Sequence, residues 1–226
     1  MIFSINAGHS KSGTASGAMG FFSESVNTRI IVNRVINILT DLGNTVINCT
    51  VDNANSVHEH LKNVVTNSNK QWTKCFISVH FNASNGYGHG VEVYTYKGAH
   101  LAEANNILNN IASLGFTNRG IKDGTHLYEV KNTTAPAVLV ECCFCDNQQD
   151  FEIYKNHIED MARAIAYGII GKEFEQMSEK ASTTEFEKSR KNLMEMGITD
   201  GSRPKDNITR EEVFALIDRT IQKIKG

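Results

Sequence analysis

The chain has 226 residues, with 23 lysine and arginine residues against 25 aspartate and glutamate residues, and a formal net charge of −2. This length suits one medium-sized domain with a small addition, and the balanced charge gives no electrostatic argument for a nucleic-acid-binding protein. No apolar run approaches the roughly 18 residues that a membrane-spanning helix needs, so membrane insertion is not expected.

The N-terminus, MIFSINAGHS, contains neither a basic segment nor a cleavable apolar segment. A secretory signal peptide would have both of these features. The pattern instead predicts a first strand, and we expect the protein to be made in the cytoplasm.

Strand and helix signals alternate through about residues 1–172. Strands are predicted at IFSIN, NTVINCTV, KCFISVHF, GHGVEVYTY, HLYEV and APAVLVECCF. Helices are predicted at residues 24–42, from Val57 to before Trp72, at 101–114 and at 150–170, the last one interrupted near Asn156. This order predicts an α/β fold with a central mixed, mostly parallel sheet flanked by helices.

The composition changes near Glu173, after the last predicted helix of this domain. Residues 173–188 are charged, small and polar, which is typical of a linker, and residues 189–226 are predicted to form a small helical appendage. Thr209 and Glu212 have capping-box spacing at the start of its last helix. A segment of this size buries little core of its own, so we expect it to dock or to self-associate.

Chemically reactive side chains follow three of the predicted strands. His9 comes just after IFSIN, His80 ends FISV and Glu141 ends AVLV, while Glu24 opens the first helix. Sites in open α/β sheets collect at the carboxyl ends of the strands. Two histidines and a carboxylate form a catalytic zinc ligand set, and a further carboxylate can then act as general base.

Each of these residues also has an ordinary structural explanation. His80 could be a hydrogen-bonded core histidine, and Glu24 could be a first-turn glutamate favoured by the helix dipole. Glu141 is harder to explain in this way, because burying an unpaired carboxylate is costly. No role is assigned to the histidines in helical segments expected to be exposed, which are His58, His60, His100 and His157. His89 and His126 stand near strand starts, and His126 is the better candidate of the two for supporting a metal ligand from behind.

Several motifs in order resemble the zinc-dependent N-acetylmuramoyl-L-alanine amidases of bacterial cell-wall lysis. They are NAGHS, an early Glu24, SVHFNAS, GVEVYTY, NRGIK and LYEVKNTTAPAVLVECCFCDN, and they cover about residues 1–172. The resemblance implies that His9, Glu24 and His80 bind one Zn²⁺ ion and that Glu141 is the catalytic carboxylate. It also implies hydrolysis of the amide between N-acetylmuramic acid and L-alanine.

Four further residues are expected to contact the peptidoglycan substrate. Asn82 lies two residues beyond His80, where it would orient the substrate or Glu24. Three others precede the Glu141 strand and are expected to hydrogen-bond the peptide stem: Asn132, Thr133 and Thr134. The predicted partners are therefore the stem peptide and the glycan.

The five cysteines are expected to be free, buried thiols. An odd number of cysteines without a signal peptide argues against a disulfide framework, and the second cluster that a zinc knot needs is absent. Cys142 and Cys143 stand where the family often has glycine or serine after the catalytic glutamate. On a regular strand they would point to opposite faces and serve packing, yet two adjacent thiols raise the expectation of oxidation sensitivity.

The tail GITDGSRPKDNITREEVFALIDR resembles a single repeat of the S-layer-homology type, which usually occurs in threes. This resemblance implies binding to the Gram-positive cell wall, or association between chains. We expect a phage endolysin, made in the host cytoplasm, that acts on the wall after release.

Other functions remain open from the sequence. A host autolysin or a sporulation amidase would share the catalytic domain. A non-catalytic wall-binding module is disfavoured because His9, Glu24, His80 and Glu141 are all present. A cytosolic metallohydrolase for small amides is disfavoured because such an enzyme has no need of the tail.

Overall fold

The computed structural model describes residues 1–13 and 15–175, together with 192–196, 198, 215, 217, 218 and 220–222. The chain divides into two compact units, Met1–Gln176 and Met177–Gly226. Most of the predicted linker (173–188) and of the predicted appendage (189–226) lies outside the described residues. Within the described part, no helix combines the length and the apolar character needed to cross a membrane.

The described residues of the first unit contain one six-stranded sheet. Its strands are β1 (Ile2–Ala7), β2 (Thr45–Asn48), β3 (Phe76–Asn82), β4 (Val91–Thr95), β5 (Asn118–Asp123) and β6 (Ala137–Phe144). The strand order is β2-β1-β3-β6-β4-β5. Neighbouring strands are parallel, except that β4 runs antiparallel to β6. The predicted mixed, mostly parallel sheet is therefore confirmed.

Six α-helices flank this sheet in the described part of the first unit. They are α1 (Glu24–Asp41), α2 (Val57–Ser68), α3 (Ala102–Ala112), α4 (Tyr128–Asn132), α5 (Gln148–Asn156) and α6 (Ile158–Ile170). The larger apolar cluster holds the buried apolar residues of α1, α3 and α6, whereas a smaller cluster includes Val64 of α2 and Val130 of α4. The helices therefore cover both faces of the sheet, and the break predicted near Asn156 is present between α5 and α6.

The two faces of the sheet differ in polarity. Ile5 of β1 and Ile77 of β3 belong to the larger apolar cluster. Their neighbours Asn6 and Ser78 are buried polar residues. Because successive side chains of a strand point to opposite faces, the polar residues collect on the face covered by α2 and α4.

Two predictions of local structure are wrong. The segment HLYEV is predicted as a strand, but Tyr128–Asn132 forms helix α4. The segment NRGIKD, for which the pattern predicts no strand, forms β5 at the edge of the sheet. Apolar residues over five positions fit one helical turn as well as a short strand, and an exposed edge strand lacks a regular apolar pattern.

The cysteines after Glu141 lie on an irregular part of β6. His80 of β3 pairs with Glu141, but Asn82 pairs with Phe144, so β6 contains one extra residue. Such a β-bulge re-aims side chains. Cys142 and Cys143 both pack in the larger apolar cluster, so the prediction that they serve packing is confirmed. The regular alternation that would put them on opposite faces is interrupted by the bulge. All five cysteines are free and buried, as predicted.

Candidate active site

The carboxyl ends of three adjacent strands bring the predicted site residues together. His9 follows β1, His80 lies near the end of β3 and Glu141 lies in β6. His80 and Glu141 are directly opposite each other in the pairing of β3 with β6. Glu24 is the first residue of α1, so its carboxylate reaches this edge from the helix N-terminus.

Three of these side chains have the arrangement of metal ligands. Glu24 Oε1 lies 3.1 Å from His80 Nδ1, and Glu24 Oε2 lies 3.1 Å from His9 Nε2. One ligand atom from each residue lies within 4.8 Å of the others. Ligands at 2.0–2.1 Å from a tetrahedral zinc ion are separated by about 3.3 Å, so the donor types and their spacing fit one zinc ion.

Glu24 is held between the two imidazoles by the backbone. Its Oε2 accepts a hydrogen bond from the Ala18 amide at 2.8 Å, and its Oε1 accepts one from the Phe81 amide at 3.1 Å. Burial raises the pKa of Glu24, but the hydrogen bonds and charges of His80 and His9 outweigh burial and hold this pKa well below its usual range. Glu24 therefore presents an ionised carboxylate to the site.

His9 has an unusual backbone conformation at the end of the first strand. Its φ of 66° lies in the left-handed region, which residues other than glycine seldom adopt. Its Nδ1 lies 3.2 Å from the Ala15 carbonyl, and Arg29 Nη2 donates to the His9 carbonyl at 2.9 Å. A carbonyl only accepts, so Nδ1 donates to Ala15, and Nε2, the nitrogen that faces Glu24, is the one that would bind a metal ion.

Two glycines leave room for the ligands. A Cβ at Gly8 would lie 2.3 Å from Cε1 of His80, and a Cβ at Gly17 would lie 2.6 Å from Oε2 of Glu24. Gly17 also has a φ of +75°, which disfavours any side chain there. The glycines near His9 are therefore required by the close approach of the backbone to the His80 and Glu24 side chains.

Glu141 provides a carboxylate that the protein leaves partly unpaired. Its Oε2 is buried and has no hydrogen-bond partner among the described residues. Burial raises the pKa of Glu141 to about 7, with His80 opposing the shift and the charges of Glu24 and Glu92 adding to it. An unpaired carboxylate whose pKa lies near neutrality suits proton transfer.

Comparison with known proteins identifies the family of this chain. Residues 4–171 match the family described as N-acetylmuramoyl-L-alanine amidase. The chain belongs to this family. It is 30% identical to the catalytic domain of the CD27L endolysin targeting Clostridia difficile, with a TM-score of 0.71 over 77% of this chain and 99% of that chain.

Two curated relatives are longer than this chain. The chain is 31% identical over 183 residues to an uncharacterized protein of Clostridium perfringens, covering 78% of this chain and 53% of that protein. It is 29% identical over 176 residues to the endolysin of Bacillus phage SPP1, covering 73% of this chain and 63% of that protein. The chain thus spans about half the length of the first relative.

The sequence patterns do not identify a buried polar group behind His80. Ser78 Oγ lies 3.1 Å from His80 Nε2 and donates to Glu129 Oε2 at 2.8 Å. Asn6 Nδ2 donates to Glu129 Oε1 at 3.0 Å. Ser78 is predictable from the sequence, because it lies two residues before His80 and side chains two residues apart on a strand share a face. Glu129 is not predictable in this way, because its segment HLYEV has the pattern of a strand and not of the helix that it forms.

Asn82, predicted to contact substrate, lies in a cluster around Glu92. Glu92 Oε1 accepts from Asn82 Nδ2 at 2.9 Å, and Glu92 Oε2 accepts from Arg119 Nε at 2.8 Å. Glu92 is directly opposite Glu141 in the pairing of β4 with β6. The structure therefore brings Asn82 to the same edge as the proposed base, and it adds Glu92 and Arg119, which the sequence patterns do not single out.

The three other predicted substrate residues are not brought to this edge. They precede β6, whereas Glu141 lies four residues into this strand, or about 13 Å along it. The Thr134 amide donates to Asn69 Oδ1 at 2.9 Å, and Asn69 Nδ2 donates to the Asn132 carbonyl at 3.0 Å. Thr133 Oγ1 donates to the Glu129 carbonyl at 2.9 Å. These contacts connect α2, α4 and the start of β6.

The surroundings of two other histidines differ from those expected from the sequence. His60 is expected to be exposed, yet it is buried and its Nδ1 lies 3.0 Å from Ser10 Oγ. The ring centroid of His126 lies 6.1 Å from that of Tyr94. Among the described residues, Glu129 rather than His126 is the group that stands behind His80.

Proposed function

We propose that this protein hydrolyses the amide bond between N-acetylmuramic acid and L-alanine in peptidoglycan. The observation that carries the proposal is the His9–Glu24–His80 group with Glu141 opposite His80, at the strand ends of a chain that belongs to the amidase family. Amides are poor electrophiles with poor leaving groups. The reaction therefore needs both an activated water and a proton donor for the departing nitrogen.

The residues of the site divide these tasks. A zinc ion bound by His9, Glu24 and His80 would polarise the scissile carbonyl and activate water. Glu141 accepts the proton of the attacking water on its unpaired carboxylate and returns it to the alanine nitrogen as the C–N bond breaks. Asn82, anchored to Glu92 beside Glu141, is proposed to orient the substrate at this edge.

Product analysis on purified Gram-positive cell walls tests this proposal. The zinc-loaded full chain should reduce turbidity and release new L-alanine amino termini without new reducing sugar ends. A chelator should abolish the release, and added zinc should restore it. New reducing ends, or new amino termini of other residues, would assign a different bond. Binding to walls without cleavage would support the non-catalytic wall-binding module.

We further propose that the enzyme is a phage endolysin that acts on the wall after release from the host cytoplasm. The support is its similarity to two proteins that are named endolysins. Expression in a Gram-positive host should cause lysis only when a holin is co-expressed. Lysis without a holin would favour a host autolysin or a sporulation amidase.

The tail is proposed to bind the Gram-positive cell wall. This proposal rests on the sequence of residues 189–226 alone, since the family match ends at residue 171. Full-length protein should sediment with purified walls more completely than a chain ending at Gln176. Equal sedimentation, with a larger apparent mass of the full chain on size-exclusion chromatography, would indicate self-association instead.

A further inference from the structure

The first turn of α4 places a carboxylate on the polar face of the sheet. Glu129 is 2% exposed, and it lies against Asn6 of β1 and Ser78 of β3, which are fully buried. A buried carboxylate is costly unless hydrogen bonds or an opposite charge compensate for its lost hydration. Glu129 is not among the ligands or the base, so its burial calls for a different explanation.

The hydrogen bonds of this group have only one consistent direction. A carboxylate only accepts, so the single hydroxyl proton of Ser78 is donated to Glu129 Oε2 at 2.8 Å. Ser78 Oγ then has two lone pairs left, and Asn6 Nδ2 and His80 Nε2 each approach it at 3.1 Å. Both of these nitrogens must therefore be donors, and His80 Nε2 carries a proton.

This direction decides which nitrogen of His80 is free for a metal ion. A metal ion binds an imidazole nitrogen that carries no proton. Because Nε2 keeps its proton for Ser78, the nitrogen that would bind the ion is Nδ1, which lies 3.1 Å from Glu24 Oε1. The negative charge of Glu129 also lies close, with Oε2 at 3.8 Å from His80 Nε2. An outer carboxylate that accepts from a ligating histidine fixes its tautomer and increases its basicity.

We propose that Glu129, acting through Ser78, is a positioning residue that fixes the tautomer and orientation of His80 and so increases the affinity of the site for a divalent metal ion. Asn6 completes the group by holding both Glu129 and Ser78 in place. The inference rests on the metal site of the proposed function. His9 has a simpler support, because its Nδ1 faces a single backbone carbonyl.

Zinc affinity of the full chain tests the proposal independently of hydrolysis. Metal-free protein would compete with a chromophoric chelator for zinc, with Glu129→Gln and Asp150→Asn compared with wild type. Asp150 is the matched control, since its buried carboxylate accepts from the Phe144 and Gly90 amides and not from a ligand. We expect the zinc dissociation constant of Glu129→Gln to rise about ten- to hundredfold, as is usual for outer-shell partners. Asp150→Asn should bind zinc like wild type.

A second readout separates positioning from a general loss of structure. The visible absorption of the cobalt(II)-substituted protein should change in Glu129→Gln and stay unchanged in Asp150→Asn, because it reports the ligand geometry. If Glu129→Gln does not fold, Ser78→Ala decides, since it removes the acceptor of His80 Nε2 with little change in volume. It should also weaken zinc binding.

The outcomes distinguish this inference from the proposed function. Wild-type-like zinc affinity in the folded Glu129→Gln and Ser78→Ala proteins would overturn the positioning role while leaving the metal site intact. A wild-type chain that binds no zinc would overturn the metal site and this inference with it.

Discussion

The two faces of the central sheet are built from the same strands, yet they carry different properties. On one face, Ile77 and Val79 of β3 pack in the larger apolar cluster with α1, α3 and α6. On the other face, Ser78 and His80 of the same strand join the polar group around Glu129 and the candidate metal ligands. Adjacent residues of one strand therefore differ in role, since one packs in the core and the next lies in the site. Substitutions on the apolar face should change stability, whereas those on the polar face should change zinc binding or catalysis.

The largest effect on catalysis is expected for Glu141→Gln on the polar face. Loss of the proton acceptor should lower kcat about 10²–10⁴-fold. Zinc content should be retained and thermal stability should not fall, because Glu141 Oε2 has no partner to lose among the described residues. Kinetics on solubilised wall fragments, with metal analysis and thermal unfolding of the same samples, would check this. Activity within tenfold of wild type would remove Glu141 from the mechanism.

Gly8→Ala should damage the metal site through a steric contact. The new Cβ would lie 2.3 Å from the His80 ring, so the ring must leave its position opposite Glu24. We expect zinc affinity to fall at least about tenfold, of the order seen when ligand orientation is lost. Equilibrium dialysis with zinc measures the change.

Gly43→Ala is the control for that substitution. Gly43 has a φ of +77° with nothing within 4 Å of its Cβ position, so alanine there adds backbone strain alone. This strain should cost about 1–2 kcal/mol of stability and leave zinc affinity unchanged. A Gly8→Ala protein that binds zinc as tightly as Gly43→Ala would show that the ring can move without loss.

Ile77→Ala tests the apolar face. The side chain is fully buried in the larger cluster, so its truncation should lower the free energy of unfolding by about 2–5 kcal/mol. Zinc affinity and kcat, measured well below the melting temperature, should stay close to wild type. Urea unfolding monitored by circular dichroism gives the stability change. A parallel loss of zinc affinity would mean that the two faces are not separable.

A smaller, pH-dependent effect on stability is expected from Glu141 in the metal-free protein. Its folded pKa of about 7 exceeds the ordinary value of 4.5, so the folded state resists ionisation of this group. As pH rises, the carboxyl group loses its proton in the unfolded state before it does so in the folded state. The stability of wild type relative to Glu141→Gln should therefore fall between about pH 4.5 and about pH 7 and stay constant above pH 7. Urea unfolding of both proteins at pH 4.5, 6 and 8 checks the sign. A stability difference between the two proteins that does not vary with pH would mean that burial does not raise the pKa of Glu141.

The apolar face was largely predictable from the sequence, and the polar face only in part. Local apolar patterns identify β3, β6 and α1, and strand ends identify His80 and Glu141, because both signals lie within a few residues. Glu129 is in contact with Ser78 across 51 residues of chain, and only the folded sheet brings them together. Its short helix has no periodicity that could reveal which way the carboxylate points.

The smallest effect is expected from peroxide treatment of the folded protein. Cys142 and Cys143 are fully buried, and burial raises the pKa of both thiols well above the usual value. The thiolate is the reactive form, so neither cysteine should oxidise under native conditions, despite their adjacency. Activity and the number of free thiols should be unchanged by peroxide, whereas urea-unfolded protein, as the control, should lose free thiols as its cysteines oxidise. Loss of activity that a thiol reductant reverses would mean that β6 opens at its bulge, and that the apolar face is less rigid beside Glu141 than its packing indicates.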